Sequence, residues 1–299
     1  MSDKLKNFIV RTLSGAVLLL VILAAMWIGI RGYLTLLLFI TVVGVWEFFS
    51  LAKAKGYDPQ RVLGVVLSIL LYCCGVVMAM YLHNSALGVL NFTSATIYAL
   101  GLYGLPLILV ALIPIVFFAE VFRNRPTPIA NVATTLVGVI YVAFPMSLMT
   151  FVPMVISSID GNSCEWQAIY FLFYLFLVWG NDVFAYLVGV TMGRHKMCER
   201  LSPKKSWEGF FGGLAGSLGV GALAAYFTNG SYGMWIGLAL VVSLSSVLGD
   251  LVESMFKRDA GVKDSGNIMP GHGGILDRFD ALILSVPMAF VYLKIYSMF

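Results

Sequence analysis

Acidic and basic side chains gather near the carboxyl end of a chain that is otherwise strongly apolar. The segment Lys257–Asp280 contains nine Asp, Lys, Arg and His residues in twenty-four positions, whereas Asp, Glu, Lys and Arg make up 11% of the whole sequence. Carboxylates suit hard cations such as Mg²⁺, and basic side chains suit phosphate oxygens. The segment therefore has the residue types for phosphoryl or nucleotidyl transfer. No Walker sequence GxxxxGK[ST] accompanies it.

Two helices are expected to carry the acidic residues of this region on single faces. One face has the spacing i, i+3, i+4 and i+7 and consists of Asp250, Glu253, Ser254 and Lys257. Asp277 and Asp280 lie three residues apart at the start of the next apolar segment. Aspartates from two such helices form a hard-oxygen site of the kind that binds Mg²⁺ with substrate phosphates. Surface salt bridging is the alternative explanation for the first face.

Another carboxylate interrupts the apolar stretch LFLVWGNDVFAYLVG. Asp182 lies about 16 Å along the helix from the end of the span near Gly193, at about 1.5 Å per residue. A carboxylate at this depth costs at least about 2.5 kcal/mol on insertion scales, so a polar cavity that serves a substrate is expected there. Tyr186 and Gly189 share its helical face. A structural hydrogen bond between helices is the alternative.

The sequence RLSPKKSWEGFFGG leads a basic loop into the next apolar helix. Ser206 is predicted to cap that helix, whose first free N–H groups suit a phosphate. Lys204 and Lys205 add positive charge beside them, although membrane orientation alone could explain the lysines. Close helix packing is the typical use of the small residues that follow, Gly209, Gly212, Gly213 and Gly216.

The composition is that of an integral membrane protein. Hydrophobic residues make up 60% of the chain, and the mean hydropathy is +0.92. Apolar runs of about 20 residues recur, each long enough as a helix to cross roughly 30 Å of hydrocarbon. We predict an all-α polytopic fold with about nine spans, at residues 8–30, 32–52, 62–82, 96–120, 131–155, 168–192, 209–229, 232–249 and 275–298.

Nine spans and a cytoplasmic amino terminus place 17 of the 19 Lys and Arg residues on the cytoplasmic side, all except Arg31 and Lys294. This asymmetry follows the positive-inside rule and puts the carboxyl terminus in the periplasm. Pro106 and Pro114 leave two shorter segments open between residues 85 and 120. A tenth span would destroy the asymmetry, so one kinked span is favoured.

Two parts of the chain are expected to differ in role. Residues 1–165, with about five spans and almost no intramembrane charge except Glu47, are predicted to form a scaffold with lipid access. Residues 166–299 are predicted to form the catalytic part, with a polar site facing the cytoplasm. No organellar targeting segment is recognised, so a multi-pass location in a bacterial inner membrane is expected.

The carboxyl-terminal sequence resembles the phosphatidate cytidylyltransferase, or CDP-diacylglycerol synthase, family. SPKKSWEG is similar to the family's SPKK[ST]xEG element, and the Asp182 segment resembles its intramembrane aspartate. Met269 stands where the family usually has Leu, Ile or Phe, which has a similar apolar volume. Thirteen positions follow the family signature in order and spacing: Ser254, Lys257, Arg258, Lys263, Asp264, Gly266, Pro270, His272, Gly273, Gly274, Asp277, Arg278 and Asp280.

The resemblance implies synthesis of CDP-diacylglycerol and pyrophosphate from CTP and phosphatidate. It also implies Mg²⁺ paired with K⁺, assigned to Asp250 and Asp277, with Lys257 and Arg258 as further catalytic residues. A positional role is favoured for His272, because a phosphate monoester is largely ionised near pH 7, with a second pKa of about 6. Substrate-binding roles are predicted for Asp182, Ser202, Lys204, Lys205, Ser206, Glu208, Lys263, Asp264, His272, Arg278 and Asp280.

CTP, phosphatidic acid and membrane lipid are the expected partners, and a homodimer is left open. No basic stripe with interleaved aromatics indicates nucleic-acid binding. A transporter would explain Asp182 and the many spans, but not a charge cluster restricted to the cytoplasmic surface. A CDP-alcohol phosphotransferase would carry DGxxAR…GxxxDxxxD, which is absent. A CTP-dependent polyprenol or phytol kinase remains the nearest enzyme alternative.

Overall fold

The computed structural model describes residues 3–86, 94–162, 164–271 and 273–299, and the elements it contains are overwhelmingly helical. The helices are α1 (Asp3–Ile28), α2 (Ile30–Ala54), α3 (Arg61–Ala86), α4 (Ser94–Arg123), α5 (Pro128–Gly138), a π-helix (Val139–Ala143), α6 (Phe144–Met149), α7 (Val152–Ile159), α8 (Ala168–Met192), α9 (Trp207–Thr228), α10 (Tyr232–Asp259) and α11 (Leu276–Tyr296). The strands are β1 (Lys196–Cys198) and β2 (Ser202–Ser206).

Membrane-spanning helices dominate the described residues. Eight helical segments are long and apolar enough to cross a bilayer: Ile30–Ala54, Arg61–Ser85, Leu102–Arg123, Pro128–Met149, Ala168–Met192, Trp207–Thr228, Tyr232–Asp259 and Leu276–Tyr296. The predicted first span lies in α1, where Thr12–Ile28 forms a shorter apolar stretch. The prediction of an all-α polytopic membrane protein is therefore confirmed.

The ambiguous segment with two prolines is a single helix from Ser94 to Arg123. Pro106 and Pro114 both lie inside this helix. Proline removes one backbone donor and crowds the carbonyl four residues earlier. Transmembrane helices tolerate this because neighbouring groups and local adjustments satisfy the freed carbonyls. The described residues of this segment therefore form one helix, in agreement with the predicted single span.

The predicted span 131–155 contains an irregularity. Its helix begins at Pro128, passes through the π-helical turn Val139–Ala143 and ends at Met149. A separate short helix, α7, follows from Val152. Apolar composition is continuous across the break, so hydropathy alone does not mark it.

Two compact units make up the chain. The first takes its residues from Met1–Met78, Thr93–Thr150 and Phe256–Phe279. The second takes its residues from Ala79–Phe92, Phe151–Met255 and Asp280–Phe299. The functional division predicted near residue 165 stays a prediction.

Helices α8 and α9 pack closely in the second unit through small residues. A Cβ on Gly213 would lie 2.7 Å from the carbonyl oxygen of Asn181, and one on Gly212 would meet the side chain of Val188. Glycine at these positions lets the two backbones approach each other, which is the packing device expected from the sequence. The close approach fixes the position of Asn181 relative to the amino end of α9.

A short antiparallel hairpin lies between α8 and α9, where the sequence predicted only a basic loop. Lys196 pairs with Ser206 and Cys198 with Ser202, with an irregularity between the two pairs. The hairpin leads directly into α9, because Ser206 is both the last residue of β2 and the N-cap of the helix. The basic residues of the loop are therefore held on a defined backbone.

Candidate active site

A cavity of about 610 Å³ lies in the second unit, within the range of small-molecule sites. It is bounded by α8, the hairpin, the start of α9, and Val247 and Asp250 of α10. Six of the predicted site residues line it: Asp182, Ser202, Lys204, Lys205, Ser206 and Asp250. Positive and negative side chains thus face one volume, as a phosphate-bearing ligand with a cation requires.

Asp182 lies on the wall that α8 contributes to this cavity. Tyr186 and Gly189 line the same wall, which confirms the shared helical face expected from their spacing. The neighbouring Asn181 is 1% exposed and accepts a hydrogen bond of 2.7 Å from the hydroxyl of Ser243. Asn181 thus links α8 to α10, while Asp182 is exposed towards the cavity.

Ser206 caps α9 as the sequence predicted. Its Oγ accepts a hydrogen bond of 3.2 Å from the backbone N–H of Gly209. Such caps contribute about 1 kcal/mol. The cap and Gly209 both line the cavity, so the positive end of the helix dipole lies at its edge.

Glu208 holds the beginning of the hairpin and does not line the cavity. Its carboxylate accepts hydrogen bonds from the backbone N–H groups of Arg194 and His195, at 3.1 and 3.2 Å. The Nδ1 atom of His195 lies 2.5 Å from Glu208 Oε1. These contacts tie the chain leaving α8 to the first turn of α9. Glu208 therefore shapes the hairpin that carries the lysines, and its predicted contact with substrate stays a prediction.

Lys205 and Asp250 form an ion pair across the cavity wall. Lys205 Nζ lies 2.8 Å from Asp250 Oδ2 and donates to the carbonyl of Val247 at 3.3 Å. The side chains are 24% and 39% exposed, so both remain open to a ligand. The ion pair thus brings Lys205 of β2 and Asp250 of α10 together at the cavity wall.

Three carboxylates gather beside this ion pair. Single oxygens of Asp250, Glu253 and Asp280 all lie within 4.8 Å of one another. Glu253 is 0% exposed and Asp280 is 9% exposed. One turn before Asp250, the buried Ser246 hydroxyl has no hydrogen-bond partner among the described residues. Clustered carboxylates repel one another when ionised, so this donor set fits a hard cation.

Asp277 lies in the first unit and is held by a buried network. Lys257 Nζ lies 2.6 Å from its Oδ1, and the two side chains are 12% and 4% exposed. Its Oδ2 accepts hydrogen bonds from Ser265 N and Ser265 Oγ, both at 2.9 Å, and from Gly274 N at 2.7 Å. The carboxylate is thus fixed by charge and by backbone geometry.

A tight turn precedes Asp277 within the glycine-rich sequence PGHGG. Gly271 and Gly273 have φ values of 74° and 84°, which side chains other than glycine rarely adopt. Met269 N donates to the carbonyl of Gly273 at 2.9 Å and closes the turn. His272 lies outside the described residues.

The remaining predicted residues lie at the surface. Arg258 donates to the carbonyl of Val262 at 3.2 Å, which closes the end of α10. Lys263, Asp264 and Arg278 are exposed. Their predicted contacts with substrate stay predictions, as does the shared cation assignment of Asp250 and Asp277.

Two residues of the Asp277 network were not among the predicted site residues. Ser265 gives no motif of its own, because its role comes from a backbone that folds towards Asp277. Glu47 is buried at 4% exposure, and its carboxylate accepts hydrogen bonds from the N–H groups of Ile275 and Leu276. The signal for Glu47 was present, since an acidic residue within an apolar span needs a partner.

Comparison with known proteins identifies the family of this chain. A family model described as the cytidylyltransferase family matches residues 9–296. The chain belongs to the cytidylyltransferase family. The resemblance seen in the carboxyl-terminal motifs is therefore confirmed, and it extends over nearly the whole chain.

Bacterial relatives are similar along most of the sequence. A protein of Haemophilus influenzae named phosphatidate cytidylyltransferase is 32% identical over 294 residues, covering 93% of this chain and 95% of the relative. One of the same name from Synechocystis sp. is 29% identical over 270 residues, covering 84% of each. A Staphylococcus aureus protein, also so named, is 50% identical over 125 residues. That match spans 41% of this chain and about half of the staphylococcal relative.

Proposed function

We propose that the protein transfers the cytidylyl group of CTP to phosphatidate, which yields CDP-diacylglycerol and pyrophosphate. The cavity of the second unit carries this proposal, because it combines lysines, a helix amino terminus and carboxylates around one volume. Family membership and the names of the relatives support the same reaction. A membrane-embedded chain suits a reaction in which one substrate is a lipid.

The basic residues would bind the triphosphate. Lys204 and Lys205 lie on β2 and bring two ammonium groups to the cavity, beside the capped start of α9. Charges of this kind neutralise phosphate oxygens and align the reacting groups, which is the main source of catalysis in such transfers. Lys205 would exchange part of its contact with Asp250 for a phosphate when substrate binds.

The reaction is a single displacement at the α-phosphorus of CTP. A phosphate oxygen of phosphatidate forms a bond to that phosphorus, and the bond to the bridging oxygen of the leaving pyrophosphate breaks. The electron pair of that bond leaves with pyrophosphate. A phosphate monoester with a second pKa of about 6 is largely ionised near pH 7, so the nucleophile needs no strong base.

The carboxylates would hold the cations that the reaction uses. Asp250, Glu253 and Asp280 offer oxygens within 4.8 Å of one another, which fits Mg²⁺. Mg²⁺ bound there would supply positive charge to the phosphate oxygens. Our sequence-based assignment of Mg²⁺ and K⁺ to Asp250 and Asp277 remains part of the proposal. Asp277 would act with Lys257, which neutralises its charge in the present structure.

An assay of the purified protein in detergent tests the proposed function. The protein is supplied with CTP, phosphatidate and Mg²⁺, and the lipid fraction is analysed for CDP-diacylglycerol. We expect a product that depends on both substrates and disappears when the divalent cation is chelated. Absence of a cytidine-containing lipid under conditions in which the protein is folded would contradict the proposal.

Asp182→Leu is expected to insert and fold at least as well as the unchanged chain, while turnover falls steeply. Removing the carboxylate relieves an insertion cost of at least about 2.5 kcal/mol, but it takes a polar group from the cavity wall. The amount of folded protein in the membrane and the turnover per folded molecule check this result. Val183→Leu, at the next and exposed position of α8, is the control and should change neither. Full turnover in Asp182→Leu would assign Asp182 to structure alone.

The proposed orientation places the site on the cytoplasmic side of a bacterial inner membrane. Single cysteines are introduced after replacement of Cys73, Cys74, Cys164 and Cys198, which are free thiols. A membrane-impermeant reagent should label position 162 in sealed cells, because that loop would be periplasmic. Positions 194 and 263 should react only after the membrane is opened. Labelling of position 263 in sealed cells would contradict the proposed orientation.

A further inference from the structure

We infer that Glu47 is a positioning residue for the Asp277 carboxylate. The inference rests on the proposed function, in which Asp277 serves the reaction. Glu47 lies on α2, about 10 Å from the end of that helix at roughly 1.5 Å per residue, and it is 4% exposed. A carboxylate within an apolar span is costly, so its retention calls for a specific partner. Its partners belong to the segment that carries Asp277.

Three consecutive backbone N–H groups are divided between Glu47 and Asp277. Glu47 accepts from Ile275 N at 3.1 Å and from Leu276 N at 2.7 Å, whereas Asp277 accepts from Gly274 N at 2.7 Å. Both carboxylates therefore bind the same short stretch of backbone, from Gly274 to Leu276. Glu47 thus holds the backbone N–H groups that directly follow the one bound by Asp277.

Ser265 connects the two carboxylates. Its Oγ lies 2.9 Å from Asp277 Oδ2 and 3.4 Å from Glu47 Oε2. The hydroxyl has one proton, and the shorter distance assigns it to Asp277. Its backbone N–H also donates to Asp277, at 2.9 Å. Glu47 therefore contacts the same residue that orients Asp277.

The glycines of this segment are required by the position of Glu47. A Cβ on Gly266 or on Gly274 would clash with the Glu47 carboxylate. The backbone therefore passes directly over the carboxylate at two points separated in sequence. The hydrogen bonds from Ile275 and Leu276 link Glu47 of α2 to the start of α11.

A purely capping role is the simpler alternative for Glu47. In that case its loss would destabilise the start of α11 without changing how Asp277 is held. The two roles differ in what happens to Ser265 N and Gly274 N, since Asp277 binds these groups and Glu47 does not. A positioning role predicts that they lose protection when Glu47 is changed.

Glu47→Gln is the principal test, because the amide keeps one acceptor oxygen and places its NH2 group against one of the two backbone N–H donors. We expect kcat per folded molecule to fall about 10-fold to 100-fold, the range typical of partners that orient a metal ligand. The KM for CTP should change little, and half-saturation by Mg²⁺ should move to higher concentration. Amide hydrogen exchange should show faster exchange at Ser265 and Gly274 as well as at Ile275 and Leu276.

Glu120→Gln is a matched control in the same unit. Glu120 is a buried carboxylate that accepts hydrogen bonds from Gln60, Asn131 and Arg123. Its amide should lower the thermal midpoint but leave kcat and Mg²⁺ dependence unchanged. If Glu47→Gln does not fold, Glu47→Asp keeps the charge and shortens the reach by one methylene. Glu47→Asp should then lower kcat, as expected for Glu47→Gln.

Two results would overturn the inference. One is an unchanged kcat in a folded Glu47→Gln or Glu47→Asp protein. The other is normal protection of Ser265 and Gly274 in a variant that has lost protection at Ile275 and Leu276. Failure of the proposed function can be distinguished from failure of this inference. If the proposed function is wrong, the unchanged protein itself forms no cytidine-containing lipid. The exchange measurement would still decide the role of Glu47.

Discussion

Asp250→Asn is expected to lower turnover by more than about a hundredfold. The amide keeps one oxygen but loses the charge that pairs with Lys205 at 2.8 Å and that contributes to the cluster with Glu253 and Asp280. Loss of a direct cation ligand should exceed the roughly 10-fold to 100-fold effect of changing an outer partner. A shift of Mg²⁺ half-saturation to higher concentration should accompany the loss of turnover.

Asp160→Asn provides the matched control for this experiment. Asp160 also lies in the second unit, and its carboxylate accepts hydrogen bonds from Thr228, Ser231 and Trp235. The substitution should lower the thermal midpoint while the Mg²⁺ dependence stays normal. Normal Mg²⁺ dependence in Asp250→Asn would remove Asp250 from the cation site.

The ion pair between Lys257 and Asp277 should be costly to break on one side only. Lys257→Met leaves a buried carboxylate without its cation, and such changes destabilise by about 3–5 kcal/mol. Hydrogen bonds from Ser265 and Gly274 retain part of the stabilisation of Asp277. We expect a clear drop in the thermal midpoint and a large loss of turnover.

The double variant Lys257→Met with Asp277→Asn separates stability from catalysis. Removing both charges relieves the unpaired carboxylate, so the thermal midpoint should recover towards that of the unchanged protein. Turnover should stay low, because the Asp277 charge is still missing. Lys55→Met is the control, since its ion pair with Asp259 is exposed and contributes little. Recovery of turnover in the double variant would show that the pair is structural.

Local sequence patterns predicted the features that depend on neighbouring residues. The span at 168–192 coincides with α8, and the cap at Ser206 forms as expected. Asp182, Tyr186 and Gly189 share one cavity wall because helical spacing fixes their direction.

Features that depend on contacts between residues far apart in sequence could not be predicted from local sequence patterns. The hairpin pairs Lys196 with Ser206 through a turn that lacks a strong hairpin signal. The sequence predicted that aspartates of two helices form one site, but the grouping of Asp280 with Asp250 and Glu253 depends on how the helices pack in the second unit. The charge of Glu47 within an apolar span was visible in the sequence. Its role was not, because its backbone partners lie more than two hundred residues away in the chain.

The fate of the two ends of CTP tests the central claim most directly. CTP carrying tritium in its cytosine ring and a radioactive γ-phosphate is incubated with phosphatidate, Mg²⁺ and the purified protein. Cytidylyl transfer predicts tritium in the lipid and the γ-label in water-soluble pyrophosphate, in equal amounts. A CTP-dependent lipid kinase would put the γ-label in the lipid and leave tritium in soluble CDP, and that result would contradict the account.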